Sequence, residues 1–185
     1  GSTSVIFRYY LTGDFAAGEV QVEILAGSFA DGAAANDAET ESFTVAVPRA
    51  EVVGPFQSGA VDVVILNGYL SEGRRYLDIS FTPAPGSALD YASLFDTGQE
   101  IELRINGGAP IALDGTPKAL RLTVADGLSV SEVLATQDAA ELASMGVTVF
   151  RYEITAAGFA YTPSLAGVAL LAGSWTDSGA SDPSG

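Results

Sequence analysis

The chain has 185 residues, of which 48% are hydrophobic and 17% are charged, so its composition is that of a globular protein rather than a disordered tail. Eight Lys and Arg residues against 23 Asp and Glu residues give a net charge of −15, which disfavours nucleic acid and anionic lipid surfaces as partners. The sequence has no Cys and no His, which excludes disulfides and imidazole catalysis. No apolar run approaches the roughly 18 residues of a membrane span, so membrane insertion is not expected. The residue types that are present still allow catalysis by carboxylates or hydroxyls and the binding of hard cations through oxygen.

Alternation of apolar and polar residues predicts that most of the chain forms β-strands. In chain order, strands with one buried face are predicted at 7–11, 20–24, 43–47, 77–81, 101–105 and 120–124. The continuous apolar run 61–66 predicts a further strand, buried on both faces. Turn signals separate these runs, and Asn106-Gly107-Gly108 before a short apolar run predicts a hairpin. Many short strands with frequent turns indicate an antiparallel sandwich.

Two segments depart from the strand pattern. Residues 129–145 are rich in Ala, Glu and Leu, which favours one helix of roughly three to four turns. Ser129 is its expected N-cap, Glu132 has the capping-box spacing, and Gly146 is expected to end the helix. A single helical turn is predicted at residues 89–95.

An internal repeat is the most informative feature of the sequence. Phe-Arg-Tyr, one variable residue, Leu or Ile, and Thr occur in this order at 7–12 and again at 150–155, displaced by 143 positions. Leu-Ala-Gly-Ser, an aromatic residue, one further residue and Asp occur at 25–31 and again at 171–177, displaced by 146 positions. Two blocks in the same order at nearly the same spacing predict that the chain samples a tandem array.

The repeat leads to a domain hypothesis. We expect residues 3–48 to be the C-terminal part of one repeat, packed on the rest of the chain. Residues 49–182 are expected to form a second repeat, an immunoglobulin-like sandwich that lacks its last strand. Packing of the first part is expected because apolar strand residues left in water would promote aggregation.

Strand patterns in this order resemble those of a known family. Within one repeat, Tyr-Leu-Asp-Ile-Ser-Phe-Thr-Pro at 76–83 precedes a Leu-Asp-Tyr-Ala-Ser-Leu-Phe-Asp turn at 89–96, and the two repeated blocks follow. The closing stretch of the repeat, Glu-Ser-Phe-Thr-Val, is seen in the first copy, at 41–45. This order resembles the immunoglobulin-like repeats of very large secreted bacterial proteins, which are adhesin-like, often calcium-binding and exported by type I secretion. The helix-like stretch 129–145 departs from a minimal sandwich of this kind.

The fold we expect is therefore all-β, an immunoglobulin-like antiparallel sandwich with one short helix near 129–145. The resemblance implies an extracellular or cell-surface location and a non-catalytic role as stalk, spacer or adhesive module. Its expected partners are neighbouring repeats of the same polypeptide, with self-association through unpaired strand edges.

Acidic side chains cluster in two loops that correspond to each other in the repeat. Asp31, Asp37 and Glu39 lie in the first loop, and Asp177 and Asp182 lie in the second. Calcium binds roughly six to eight oxygen ligands, so acidic loops at one end of a sandwich are candidate sites that would rigidify the joint between modules. The alternative is a solvated acidic loop that keeps the array soluble. Calcium is the one candidate cofactor.

A glycan- or surface-ligand-binding module is the alternative function. Aromatic rings stack on sugar C–H groups, although alternation places most of the aromatic side chains in the core. The candidates for such a platform are Tyr9, Tyr10, Tyr152, Phe159, Tyr161 and Trp175.

A third possibility is an aspartic hydrolase. The triplets Asp96-Thr97-Gly98 and Asp177-Ser178-Gly179 resemble those of enzymes in which two carboxylates share a proton. Asp177 aligns in the repeat with Asp31, which carries no such triplet, so we expect no catalytic residues here.

Arg8 and Arg151 occupy equivalent positions in the repeat. Their place on the polar face of a strand predicts a cross-strand ion pair with Glu19 or Glu23, or with the equivalents of these residues in the second copy.

Overall fold

The structure is a computed structural model that describes residues 6, 8–10, 17–30, 32, 34–55, 60–125, 128–163 and 166–178. These residues form 12 β-strands and three short α-helices, and paired strands run antiparallel. The predicted all-β, sandwich-like fold is confirmed.

The chain divides into two compact units, residues 1–47 and residues 48–185. The described strands of the first unit are β1 (Gly18–Ile24) and β2 (Glu39–Val45), which form a two-stranded sheet. The packing of the first unit on the second stays a prediction.

The second unit contains two larger sheets and one short strand pair. The five-stranded sheet has the order β3-β4-β10-β8-β9, with β3 (Arg49–Gly54), β4 (Tyr76–Thr82), β8 (Lys118–Ala125), β9 (Leu128–Val133) and β10 (Val149–Glu153). The three-stranded sheet has the order β11-β6-β7, with β6 (Ile101–Ile105), β7 (Pro110–Ile111) and β11 (Ala166–Leu170). The short pair joins β5 (Ala88–Leu89) to β12 (Asp177–Ser178). With β3, β4, β10 and β8 in one sheet and β6 and β11 in the other, the strands follow the immunoglobulin-like arrangement.

One hydrophobic core receives side chains from both larger sheets. Five of the six predicted inward residues of β4 and β6 are fully buried, and Ile105 at the end of β6 is partly buried, because alternation sends every second side chain to the same face. Phe81 on β4 packs edge-on against Phe150 on β10, with ring centroids 5.8 Å apart. These predictions are confirmed for Leu77, Ile79, Phe81, Ile101 and Leu103.

Leu122 on β8 was expected in the core but is 53% exposed. Strand β10 pairs with β8 only at Lys118–Leu120, so the rest of β8 pairs with β9 alone and continues beyond the sheet as a two-stranded ribbon. Burial therefore ends where the third strand ends.

Three apolar residues of the first unit are substantially exposed. Val22, Phe29 and Phe43 are 47%, 63% and 45% exposed. Alternation identifies the apolar face of a strand, and its burial here depends on the packing of this unit, which stays a prediction.

The apolar run 61–66 forms part of a helix and not the predicted strand. Helix α1 (Val63–Ser71) begins after Asp62, whose side chain accepts a hydrogen bond from the Val64 amide at 2.7 Å. Leu66 and Leu70, four residues apart, supply its buried face. A short apolar run has no period that separates a buried strand from a helix, and the cap decides between them here.

The predicted helix at 129–145 is shorter than expected. Its first part is strand β9, and helix α3 (Ala139–Ser144) begins after the N-cap Asp138, not after Ser129. Glu132 pairs with Arg121 across β8 and β9 and makes no capping box. Gly146 adopts φ 64° after the helix, so the predicted stop is confirmed.

Two shorter predictions are confirmed by the local geometry. Helix α2 (Tyr91–Leu94) provides the single turn expected at 89–95, with Asp90 as its N-cap. The β6–β7 hairpin turns through Asn106 at φ 50° and Gly107 at φ 67°, and the Gly108 amide donates to the Ile105 carbonyl at 2.9 Å.

Candidate functional site

The predicted calcium ligands fall in different environments. Asp31 and Asp182 lie outside the described residues. Asp37 and Glu39 are exposed in the first unit, Glu39 as the first residue of β2. Asp177 is half-buried in the second unit, where its Oδ2 accepts a hydrogen bond from the Ala84 amide at 2.7 Å. In the described part of the chain no three carboxylates converge as a metal site. Calcium binding stays a prediction.

Asp177 belongs to a hydrogen-bonded cluster that we call the C-terminal clamp, formed by Asp90, Ser93, Thr176 and Asp177. The Thr176 amide donates to Ser93 Oγ at 2.9 Å, and the Thr176 hydroxyl donates to Asp90 Oδ2 at 3.0 Å. The Asp90 amide donates to the Thr176 carbonyl at 3.2 Å. The clamp attaches the segment around β12 to helix α2 and to the segment that follows β4.

The carboxylates of the two Asp-Thr/Ser-Gly triplets are bonded to separate backbone amides. Asp96 Oδ1 accepts from the Gly98 amide at 2.6 Å within its own turn, whereas Asp177 accepts from Ala84. Asp96 is also exposed, whereas an aspartate that shares a proton with a second one lies in a buried, hydrogen-bonded loop. The local geometry is that of a turn and a clamp.

A buried carboxyl group lies where the sequence predicts an exposed one. Alternation along β6 places Glu100 on the polar face, but Glu100 is fully buried and its Oε2 accepts a hydrogen bond from the Tyr152 hydroxyl at 2.9 Å. Its Oε1 has no hydrogen-bond partner among the described residues. Burial raises the pKa of Glu100 to about 7, and burial beside this carboxyl raises the pKa of Tyr152 as well.

The one signal for this pair in the sequence is Tyr152 itself. It lies on the core side of its strand with Phe150, and a phenol hydroxyl in a core needs a polar partner. The sequence does not identify that partner, because Glu100 precedes β6 and lies 52 positions away.

The partner predicted for Arg151 is wrong. Its guanidinium makes two hydrogen bonds to the Asp78 carboxylate, at 2.8 and 2.9 Å, across the β4–β10 pair. It also lies 3.4 Å from the centroid of the Tyr76 ring. Both charged side chains are largely buried, at 13% and 11% exposure, so this pair joins two central strands in the dry part of the sheet.

Most of the candidate sugar-stacking rings are in the core. Tyr152 and Tyr161 are buried, Phe159 packs against Tyr161, and Trp175 packs edge-on against Phe81 with centroids 5.0 Å apart. The expectation that most of these rings lie in the core is confirmed for Tyr152 and Tyr161, and Phe159 and Trp175 are partly buried against that core. Tyr9 and Tyr10 are each 84% exposed. A glycan site stays a prediction for these two alone.

The second repeated block adopts the same turn in both copies. β1 and β11 each lead into Leu-Ala-Gly-Ser, and the glycines Gly27 and Gly173 adopt φ 74° and 73°. The Ser28 amide donates to Leu25 at 3.1 Å, and the Ser174 amide donates to Leu171 at 3.3 Å. A positive φ at this place requires glycine, which explains its recurrence.

The first repeated block is described fully only in its second copy. Residues 150–153 lie in β10, whereas residues 8–10 lie outside the described strands.

Comparison of the chain with protein-family models, with curated proteins and with solved structures finds no match. None of the helices in the described ranges has the length and apolar character needed to cross a bilayer.

Proposed function

We propose that the chain is a non-catalytic structural module of a large extracellular or cell-surface protein, in which such repeats act as a stalk or spacer. One observation carries the proposal: the strand and turn of β1 and Gly27 recur as β11 and Gly173, 146 positions later in the sequence. A repeated structural unit is the usual way in which a chain gains length. The resemblance to secreted bacterial repeats supports the extracellular location.

The second unit has features that suit a module under tension. A pull along the chain enters this unit at β3 and leaves it after β12. Strand β3 is hydrogen-bonded along β4, and the C-terminal clamp holds the segment around β12. Between them, the buried pair of Arg151 and Asp78 joins β4 to β10. The entry point is therefore tied to the central strand β4, and the exit point is tied to helix α2 and to the segment that follows β4.

Single-molecule pulling of the chain by its two ends tests the proposal. We expect the second unit to unfold in one step that releases roughly 450 Å, because a residue extends by about 3.3–3.6 Å. Asp177→Ala removes the clamp's hydrogen bond to Ala84 and lowers the unfolding force, whereas the exposed control Asp37→Ala leaves it unchanged. Gradual extension without a distinct force peak would contradict a stalk role.

A further inference from the structure

The outer edge of β11 is open in the part of the chain that the structure describes. β11 pairs with β6 on one side only and is the edge strand of its sheet. Four of its five residues are exposed, including Leu170 at 43%. Its counterpart in the repeat, β1, is paired along its whole length with β2. Among the described residues, the first copy of the strand thus has a neighbour, β2, that has no counterpart beside the second copy.

Three backbone positions of β11 face this open edge. In an antiparallel pair, opposite residues alternately exchange two hydrogen bonds or none. Leu170 lies opposite Ile101, and the next residue, Leu171, donates its amide to the Glu100 carbonyl at 2.9 Å. Leu171, Ala169 and Gly167 therefore turn towards β6. The amides and carbonyls that turn away from β6 are those of Ala166, Val168 and Leu170.

We propose that this edge binds strand β2 of a second copy of the chain, which leaves β1 of that copy and adds to β11 as an antiparallel strand through the edge that it presents to β1. The repeat fixes the register. In β1, Val20 lies opposite Phe43, Val22 opposite Glu41 and Ile24 opposite Glu39. Moving β1 by the 146 positions of the repeat places Phe43 opposite Ala166, Glu41 opposite Val168 and Glu39 opposite Leu170.

The charges of the two strands favour this partner. β2 contributes Glu39 and Glu41, and beside β1 it meets a strand that carries Glu19 and Glu23. β11 has the sequence Ala-Gly-Val-Ala-Leu and carries no charge. Glu19 and Glu23 lie opposite Thr44 and Thr40 and not opposite Glu39 and Glu41, so only the longer-range repulsion is smaller beside the uncharged β11 than beside β1. The proposal rests on the repeat and not on the mechanical role, so failure of the pulling experiment leaves it intact.

Hydrogen exchange of the full chain, with and without a synthetic peptide of residues 37–47, tests the proposal. We expect the peptide to slow amide exchange at Ala166, Val168 and Leu170 by roughly tenfold or more. A peptide N-methylated at Glu41 and Phe43 loses this effect, whereas one N-methylated at Ser42 and Thr44 retains it. Equal behaviour of the two methylated peptides, or no protection by any peptide, would overturn the proposal.

Sedimentation and a pair of matched variants test the second copy itself. Association of the chain should rise with concentration, together with protection of the three β11 amides. Leu170→Glu, placed opposite Glu39, weakens association, and Leu170→Lys at the same exposed site preserves or strengthens it. Protection that is already complete in a dilute monomer would show that the edge is covered within one chain, and would overturn the second-copy proposal.

Discussion

Glu100 shows how one buried residue makes the stability of the protein depend on pH. Its carboxyl has lost all contact with water, and one of its two oxygens has no hydrogen-bond partner among the described residues. The ionised form is therefore poorly compensated, while the protonated form fits the core. With a pKa of about 7, the folded protein retains a proton that the unfolded chain loses near pH 4.5.

The sign of the effect follows from proton linkage. Between the unfolded and folded pKa values the folded state binds more protons, so the free energy of unfolding falls as pH rises through this window, by up to about 3 kcal/mol. Glu100→Gln retains a hydrogen-bond acceptor for Tyr152 and cannot ionise. We expect this variant to be more stable than the parent at about pH 8 and similar to it at about pH 5.

Urea unfolding at the two pH values measures this difference. Glu51→Gln, on the exposed side of β3, is the control and should retain the pH dependence of the parent. An unchanged pH slope in Glu100→Gln would show that another group titrates.

The Arg151–Asp78 pair gives a second prediction for single residues. Asp78→Asn leaves a largely buried guanidinium without its carboxylate, which costs about 3 kcal/mol in the free energy of unfolding. Glu132→Gln removes the partner of Arg121 at the surface and should cost less than about 1 kcal/mol. Chemical denaturation of both variants checks the contrast. Equal losses would mean that burial does not set the strength of these pairs.

For whole elements, the sequence predicts best where one face of a strand is buried by a neighbouring layer. β4 and β6 were predicted from alternation alone, and the turn at Asn106 and Gly107 from residue types that tolerate positive φ. The predictions fail where long-range pairing decides. β9 was expected to be helical because its Ala, Glu and Leu neighbours favour helix, but pairing with β8 outweighs this local preference.

The candidate site was harder to predict than the fold. Asp177 was identified as acidic and placed in a loop, but its bond to Ala84 connects residues 93 positions apart, which no local pattern reports. The predicted exposure of Glu100 was wrong, because alternation assigns each residue to a face of the strand and does not reveal when both faces are covered.

The β6–β7 hairpin provides a prediction for an element. A Cβ added at Gly107 meets nothing within 4 Å, so the cost of Gly107→Ala is that of its positive φ alone, about 1 kcal/mol. Gly115→Ala also adds a methyl group in open space, but at a residue without positive φ, and should be neutral or slightly stabilising. Thermal unfolding compares the two, and equal destabilisation would contradict a backbone origin.

At the scale of the whole molecule, the net charge of −15 disfavours the compact state through self-repulsion. We propose that calcium relieves this repulsion at the acidic loops, with Asp31, Asp37 and Glu39 as ligands in the first unit. A bound ion stabilises the folded state by mass action, so calcium should raise the melting temperature by roughly a few degrees.

Thermal unfolding in matched concentrations of calcium and magnesium separates binding from screening. Asp37→Asn combined with Glu39→Gln should abolish the calcium effect, whereas Glu132→Gln should leave it in place. An equal rise with both cations would reduce the effect to general screening.

The ribbon formed by the outer parts of β8 and β9 has a consequence for where proteases first cut the protein. Beyond Leu120, β8 and β9 pair only with each other. The side chains of Leu122, Val130 and Val133 are about half exposed. Such a ribbon opens at little cost, since two strands without a covering layer are barely stable. A protease should therefore cut the folded chain first at this ribbon, while the sheet around β4 and β10 keeps its shape.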